Sequence, residues 1–287
     1  YVNESVEFIR AFQPSVVKAF ASVTSPDWWR AVEQAAPGAI RVLVHGEISD
    51  NPDMSHPEAD AEATAKLLDD RPGYPRLVIT KNEVLHKTHP AEHWQWWADY
   101  HTRWLTRAHQ LGINGVVGQI NSGHPNTYLL DLDDQWKRLQ PVEDAMGAGD
   151  YWGLHEYWAD GGPLAWWPWT VGRHLTCPTQ HNILIDECGY DRYTQEYVGD
   201  IHQRGWATNM NGEQYVGQLV EYHQMLTDPR VKGTALFLLD FDNNEWQSFD
   251  TWNIRDQLLA RRHEFEQVHP SARMPTRLAF PLSSYVK

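Results

Sequence analysis

Two glutamates stand where apolar strands run out. Glu83 follows the run Arg76–Lys81 (RLVITK) and Asn82, and Glu187 closes Ile183–Glu187 (ILIDE). An ionisable group at the end of a buried strand is costly unless it is paired or used. Two such carboxylates can cleave a glycosidic bond. One, protonated, gives its proton to the leaving oxygen, while the other attacks the anomeric carbon or activates water. Either Glu alone reads more simply as a helix cap or as the partner of a nearby Lys or Arg. Together they gain weight from the polar residues on the other strands: Lys18, His45, Gln119 with Asn121, His155 with Tyr157, Asp186 beside Glu187, and Asp240, Asp242 and Trp246 after the last strand.

The aromatic content points the same way. The chain has 15 Trp and 12 Tyr but only 8 Phe, so amphipathic rings outnumber purely apolar ones. Half-wet aromatics suit the flat C–H faces of sugar rings, and Trp158, Trp166, Trp167 and Trp169 crowd one loop. Trp94, Trp96, Trp97 and Trp104, at helical spacing, read as packing residues.

These residues need a scaffold, and the chain supplies strand-then-helix repeats. Val2–Phe12 reads as an amphipathic helix stopped by Pro14, and Ser15–Ala21 as a buried strand. Ser25-Pro26-Asp27 starts the next helix with a capping Ser, a Pro and an acid. Strands follow at Ala39–His45, Arg76–Lys81, Gly115–Asn121, Tyr151–Tyr157, Ile183–Glu187 and Gly233–Leu239. Helices lie at Glu58–Asp70, Pro90–Leu111, Leu132–Ala148 (interrupted by Pro141), Gly212–Thr227 and Ile254–Val268, and Cys188–Asn211 is a long insertion. The strands are short and apolar without clean alternation, the mark of parallel strands buried on both faces. No nucleotide-binding glycine motif follows any of them. The expected architecture is a single (β/α)8 TIM barrel over residues 1–287, about the usual length, with 273–287 a surface tail. Seven strands are visible, so strand one is apparently missing before the first helix. At the C-terminal ends of barrel strands, Glu83 and Glu187 would face each other across the mouth.

The order of these motifs resembles the clan A glycoside hydrolases, a retaining group of barrel enzymes. In that clan an acid/base Glu follows an Asn at the end of strand four, as Glu83 follows Asn82. The nucleophile Glu ends strand seven, as Glu187 does when the strands are counted from that match. A His ending strand three matches His45, and a His-x-Tyr on strand six matches His155-Glu156-Tyr157. A Trp after strand eight matches Trp246. The resemblance implies double displacement, with Glu187 as nucleophile and Glu83 as acid and base. Asn82, His45, Asn121, His155, Tyr157, Trp158 and Trp246 would contact the sugar or orient the carboxylates, and no cofactor or metal would take part. It implies hydrolysis of a poly- or oligosaccharide, with internal cleavage favoured by the long loops. The sequence departs from the clan in lacking strand one and in placing Lys18 where many members have an Arg. By strand alternation, Glu156 and Asp186 should point away from the mouth. An Asp186-Glu187 pair also fits substrate-assisted hexosaminidase chemistry.

Two other classes stay open: a non-catalytic glycan-binding barrel, and a metal-dependent barrel hydrolase. Against the latter, no His-x-His ends any visible strand. A Ser-His-Asp hydrolase lacks its Gly-x-Ser-x-Gly elbow. The net charge of −14 repels phosphate backbones and disfavours nucleic acid. No apolar run approaches the roughly 18 residues of a membrane span. A polymeric glycan fits an extracellular or envelope setting. Cys177 and Cys188 flank one strand and lie too far apart to be bridged, so two free thiols are expected.

Overall fold

In a computed structural model of the protein, residues 2–47, 53–83, 91–122, 132–194, 200–239 and 244–266 are described. Seven strands form one parallel sheet in sequence order: β1 (Val16–Phe20), β2 (Ile40–Glu47), β3 (Leu77–Lys81), β4 (Asn114–Ile120), β5 (Tyr151–Trp158), β6 (Asn182–Tyr190) and β7 (Val231–Leu236). Parallel neighbours in sequence order need a crossover on one side, and the helices supply it. They are α1 (Val2–Phe12), α2 (Pro26–Ala35), α3 (Pro57–Asp70), α4 (Ala91–Gln110), α5 (Leu132–Arg138), α6 (Gln140–Ala145), α7 (Trp206–Asn209), α8 (Gly212–Met225), α9 (Arg255–Ala260) and α10 (Arg262–Glu266). The sheet curls into a nearly closed (β/α)8-type barrel that lacks one strand, as the sequence predicts. The missing rung lies between β1 and β7. No ladder joins them, yet a Cβ on Gly233 would come within 2.5 Å of Val16 Cγ2, so side chains close the seam.

Strand alternation divides the apolar residues into two cores. Val16, Val42, Val44, Ile79, Val116 and Leu184 fill the barrel interior. A larger layer packs the outer strand faces against the helices, among them Trp29, Leu43, Val78, Trp97, Trp104, Trp152, Ile183 and Ile185. Trp94, Trp97 and Trp104 are buried in it as packing residues, while Trp96 is exposed. Two helices are well started: Ser25 Oγ accepts from Trp28 N ahead of Pro26 on α2, and Asn211 and Gln214 form a reciprocal capping box on α8.

Element boundaries differ from the sequence reading at several ends, and two of the differences change an element's extent or type. The strand carrying Glu187 runs on to Tyr190 into the expected insertion, held by pairing to the whole length of β5. The last expected helix is broken into a 3-10 turn (Trp252–Ile254) followed by α9 and α10. Both cysteines are free and buried, as expected. Asp240, Asp242 and the tail 273–287 lie outside the described residues. No helix among the described residues is long and apolar enough to cross a membrane.

Candidate active site

Both glutamates reach one place at the C-terminal end of the barrel. Glu83 follows β3 with φ of 51°, a left-handed conformation that costs a non-glycine residue of the order of 1–3 kcal/mol. Its N–H donates to Gln119 O at 3.1 Å, and Gln119 itself has φ of 37°. Glu83 therefore leaves the strand on a turn locked to the neighbouring rung. Glu187 lies inside β6, and its register partner on β5 is His155.

A side-chain network joins them. His155 Nδ1 lies 2.8 Å from Glu83 Oε1 and 3.4 Å from Glu187 Oε2. One oxygen of each glutamate and a His155 ring nitrogen all lie within 4.8 Å of one another. Tyr157 donates its hydroxyl to Glu187 Oε2 at 2.8 Å. Lys18 Nζ donates to Glu187 Oε1 at 2.9 Å and to Asp186 Oδ2 at 3.1 Å. His155 and Asp186 have no exposed side-chain surface, Glu187 has 12%, and Glu83 is the most open at 39%.

Burial works against the charges on Glu187, Asp186, His155 and Lys18, and their partners outweigh it. For Glu187, burial favours the neutral acid, but His155 and Lys18 hold the carboxyl below its ordinary range. For His155, burial favours the neutral ring, yet Glu187 and Asp186 raise it to about 10. Lys18, likewise buried, is raised above its ordinary value by the same two acids. Burial and the Glu187 charge push Tyr157 well up, so its hydroxyl keeps the proton it donates.

An aromatic wall continues from Tyr157. Its ring meets Phe237 at 6.2 Å, and Phe237 meets Trp246 at 5.3 Å and Phe249 at 5.6 Å, edge to face. Trp246 is half-buried, which leaves part of the ring open. Arg204 stacks near Phe249 and over Tyr193, clamped by both oxygens of Asp191. Asn82 and Asn121 are half-buried at the ends of β3 and β4.

Three expectations fail. His45 does not join the group. With Val42 and Val44 facing the interior, alternation turns His45 outward, where Nδ1 meets Thr64 Oγ1 of α3 at 3.0 Å. Trp158 faces outward for the same reason. It is fully buried against Tyr222, and its Nε1 donates to Gln218 Oε1 at 2.8 Å, so it packs the helix layer and reaches no mouth. Asp186 was expected to point away from Glu187 but shares Lys18 with it. The register shifts between Leu154 and His155 on β5, and between Ile185 and Cys188 on β6, which lets both acids face inward. Glu156 does point outward, accepting from Gly172 N, His174 N, His174 Nδ1 and Tyr222 Oη. The Arg204–Asp191 pair at the rim escaped the sequence reading, because Arg204 sits in an insertion without periodic pattern.

No protein-family model matches the sequence, and neither does any curated protein. Solved structures do match. The β-glucuronidase 2 of Bacteroides uniformis aligns with a TM-score of 0.58 at 13% identity, over 91% of this chain and 32% of its own. The chain thus spans about a third of that protein. The catalytic domain of a mannanase from Streptomyces sp. SirexAA-E gives 0.50 at 14% identity, over 93% and 83%. A broad-specificity endoglucanase from an uncultured bacterium gives 0.53 at 11%, over 91% and 84%. The chain has the barrel fold of glycoside hydrolases. At these identities the likeness is one of fold, and the chemistry rests on the side chains just described.

Proposed function

We propose that the protein is a retaining glycoside hydrolase acting on a β-linked poly- or oligosaccharide, with Glu187 as nucleophile and Glu83 as acid and base. The observation that carries this reading is the approach of one oxygen of each carboxylate to within 4.8 Å of the other. Retaining enzymes hold the pair about 5–5.5 Å apart, whereas inverting enzymes need about 6.5–9.5 Å to admit a water. The fold neighbours named for mannanase and endoglucanase activity make internal cleavage of β-mannan or cellulose the first case to try.

In the first step a Glu187 oxygen bonds to the anomeric carbon as the glycosidic C–O bond breaks, and Glu83 gives its proton to the leaving oxygen. In the second, water attacks the same carbon, Glu83 takes its proton, and the bond to Glu187 breaks. Glu187 is ionised for attack because Lys18 and His155 flank it. Tyr157 orients it through the 2.8 Å hydrogen bond. Asn82 would hold the sugar 2-hydroxyl and Asn121 a neighbouring one. Trp246 would floor the subsite, supported edge-on by Phe237.

The same Glu83, His155 and Glu187 atoms also satisfy the spacing of a metal site. An ion there would have to displace the proton that two acids favour on His155 and share Glu187 with Lys18, however. These two cations favour the glycosidase reading over a metal-dependent one.

Mechanism-based labelling tests the proposal. The protein is incubated with 2,4-dinitrophenyl 2-deoxy-2-fluoro-β-glycosides of the gluco, manno, galacto and glucurono series, and the peptide containing residues 182–190 is weighed. One covalent sugar on Glu187, absent in Glu187→Gln, is expected. No adduct with any probe, together with no reducing ends released from β-mannan or cellulose, would overturn it.

A further inference from the structure

Beside the two glutamates the barrel buries a third carboxylate that double displacement does not require. Asp186 has no exposed side-chain surface. A buried carboxylate costs several kcal/mol unless its partners repay it. Its partners are both members of the network: Lys18 Nζ at 3.1 Å and His155 Nε2 at 3.5 Å, each on Oδ2. Lys18 also donates to the Asp186 backbone carbonyl at 3.2 Å. The ammonium is therefore fixed from two directions before it reaches Glu187.

His155 completes a line across the barrel. Its Nε2 faces Asp186 and its Nδ1 faces Glu83, with Glu187 Oε2 at 3.4 Å to the side. A neutral imidazole can donate from only one nitrogen. His155 Nε2 makes no hydrogen bond across the 3.5 Å to Asp186, so the acid acts on the ring through its charge, and with Glu83 ionised that charge favours the ring with both protons. The charged groups around it are Glu83 after β3, Asp186 and Glu187 on β6 and Lys18 on β1, with the Tyr157 ring on its own strand at 6.4 Å.

The backbone makes room for this acid. A Cβ on Gly153 would lie 2.8 Å from Asp186 Oδ1 and 2.3 Å from Gln119 Nε2. Glycine at this inward position of β5 leaves space for the extra inward side chain that the register shift on β6 creates. The space and the acid that fills it come from different strands.

We propose that Asp186 is a positioning residue, a buried carboxylate that keeps His155 charged beside Glu83 and steers Lys18 onto Glu187. It touches neither substrate nor reacting atom and acts through these two cations. The proposal rests on the glycosidase reading for what the glutamates do, but its central test does not.

That test is a nitrogen-15 NMR titration of the His155 ring in wild type and in Asp186→Asn, which keeps the shape and removes the charge. In wild type both ring nitrogens should still be protonated at pH 8. In Asp186→Asn the midpoint should fall by about 1–3 pH units, the usual effect of one close opposite charge. A wild-type ring that is neutral at pH 8 overturns the proposal, even if the variant does not fold. So does a midpoint unmoved in a folded variant. Labelling of Glu187 by the fluoroglycosides gives the second readout, with an expected loss of about tenfold or more in labelling rate in Asp186→Asn. If Glu187 is never labelled and no reducing ends are released but His155 titrates as described, the hold of Asp186 on the ring stands and the glycosidase reading falls. Labelling of the variant at the wild-type rate would overturn the positioning of Lys18 on Glu187 by Asp186.

Discussion

Charge neutralisation inside the barrel ties the candidate chemistry to stability. Lys18 is the shared partner of two buried acids. Lys18→Met should therefore leave Asp186 and Glu187 facing each other with one cation fewer. Removing one partner of a buried pair costs about 3–5 kcal/mol, and the midpoint of urea unfolding measures it. A loss below about 1 kcal/mol would mean that the acids had found other partners. Removing the proton donor is a different matter. Glu83→Gln should cut turnover of a substrate with a poor leaving group by about 10²–10⁴, the usual contribution of general acid–base catalysis. For substrates whose leaving group needs no proton it should spare the first step and slow only the second, so that the glycosyl-enzyme accumulates. Aryl glycosides of graded leaving-group acidity separate the two cases.

At the scale of the element, facing direction decides what each aromatic does. Trp158 and Tyr157 are adjacent on β5 yet serve opposite sides of the sheet. Trp158→Phe should lower stability by about 1 kcal/mol through the lost bond to Gln218 while leaving KM unchanged. Trp246→Ala should raise KM with little effect on stability, because its ring is half-open. A rise in KM for Trp158→Phe would contradict the outward placement. The sequence made the strands legible because buried parallel strands read as apolar runs. It located Glu83, Asn82, Glu187, His155 and Tyr157 because chain order fixes which strand end carries which residue. It misplaced His45 and Trp158, which plain alternation along β2 and β5 turns outward, and Asp186, because a register shift on β6 lets two consecutive residues face inward and composition carries no mark of such a shift.

For the whole molecule, the buried charges set a stability optimum in pH. His155 is raised from 6.5 to about 10 in the fold. A raised pKa means stability fully present below the unfolded value and lost as pH climbs toward the folded one. His101, buried on α4, goes the other way, to about 3, because burial and the Lys81 charge oppose its protonation. Its cost appears as pH falls below 6.5. The lowered acids Asp186, Glu187 and Glu156 add to the acid-side loss once pH passes below the ordinary carboxylate range. Urea midpoints followed from pH 4 to 10 should peak near pH 6.5. A midpoint that is flat from 6.5 to 9 would show that His155 does not carry its charge in the fold.

What the chain determined by itself was periodicity and order: apolar strands alternating with amphipathic helices, and acids at the ends of two strands on the right rungs of a barrel. Those follow from local burial patterns, which are written residue by residue. The tertiary structure decided which side chains meet. The closing of the seam at Gly233, the turn of Glu83 into left-handed backbone, and the paired inward facing of Asp186 and Glu187 depend on shifts between neighbouring strands. Such shifts are set by packing across the barrel, where Gly153 yields the volume that Asp186 takes, and no single segment encodes them.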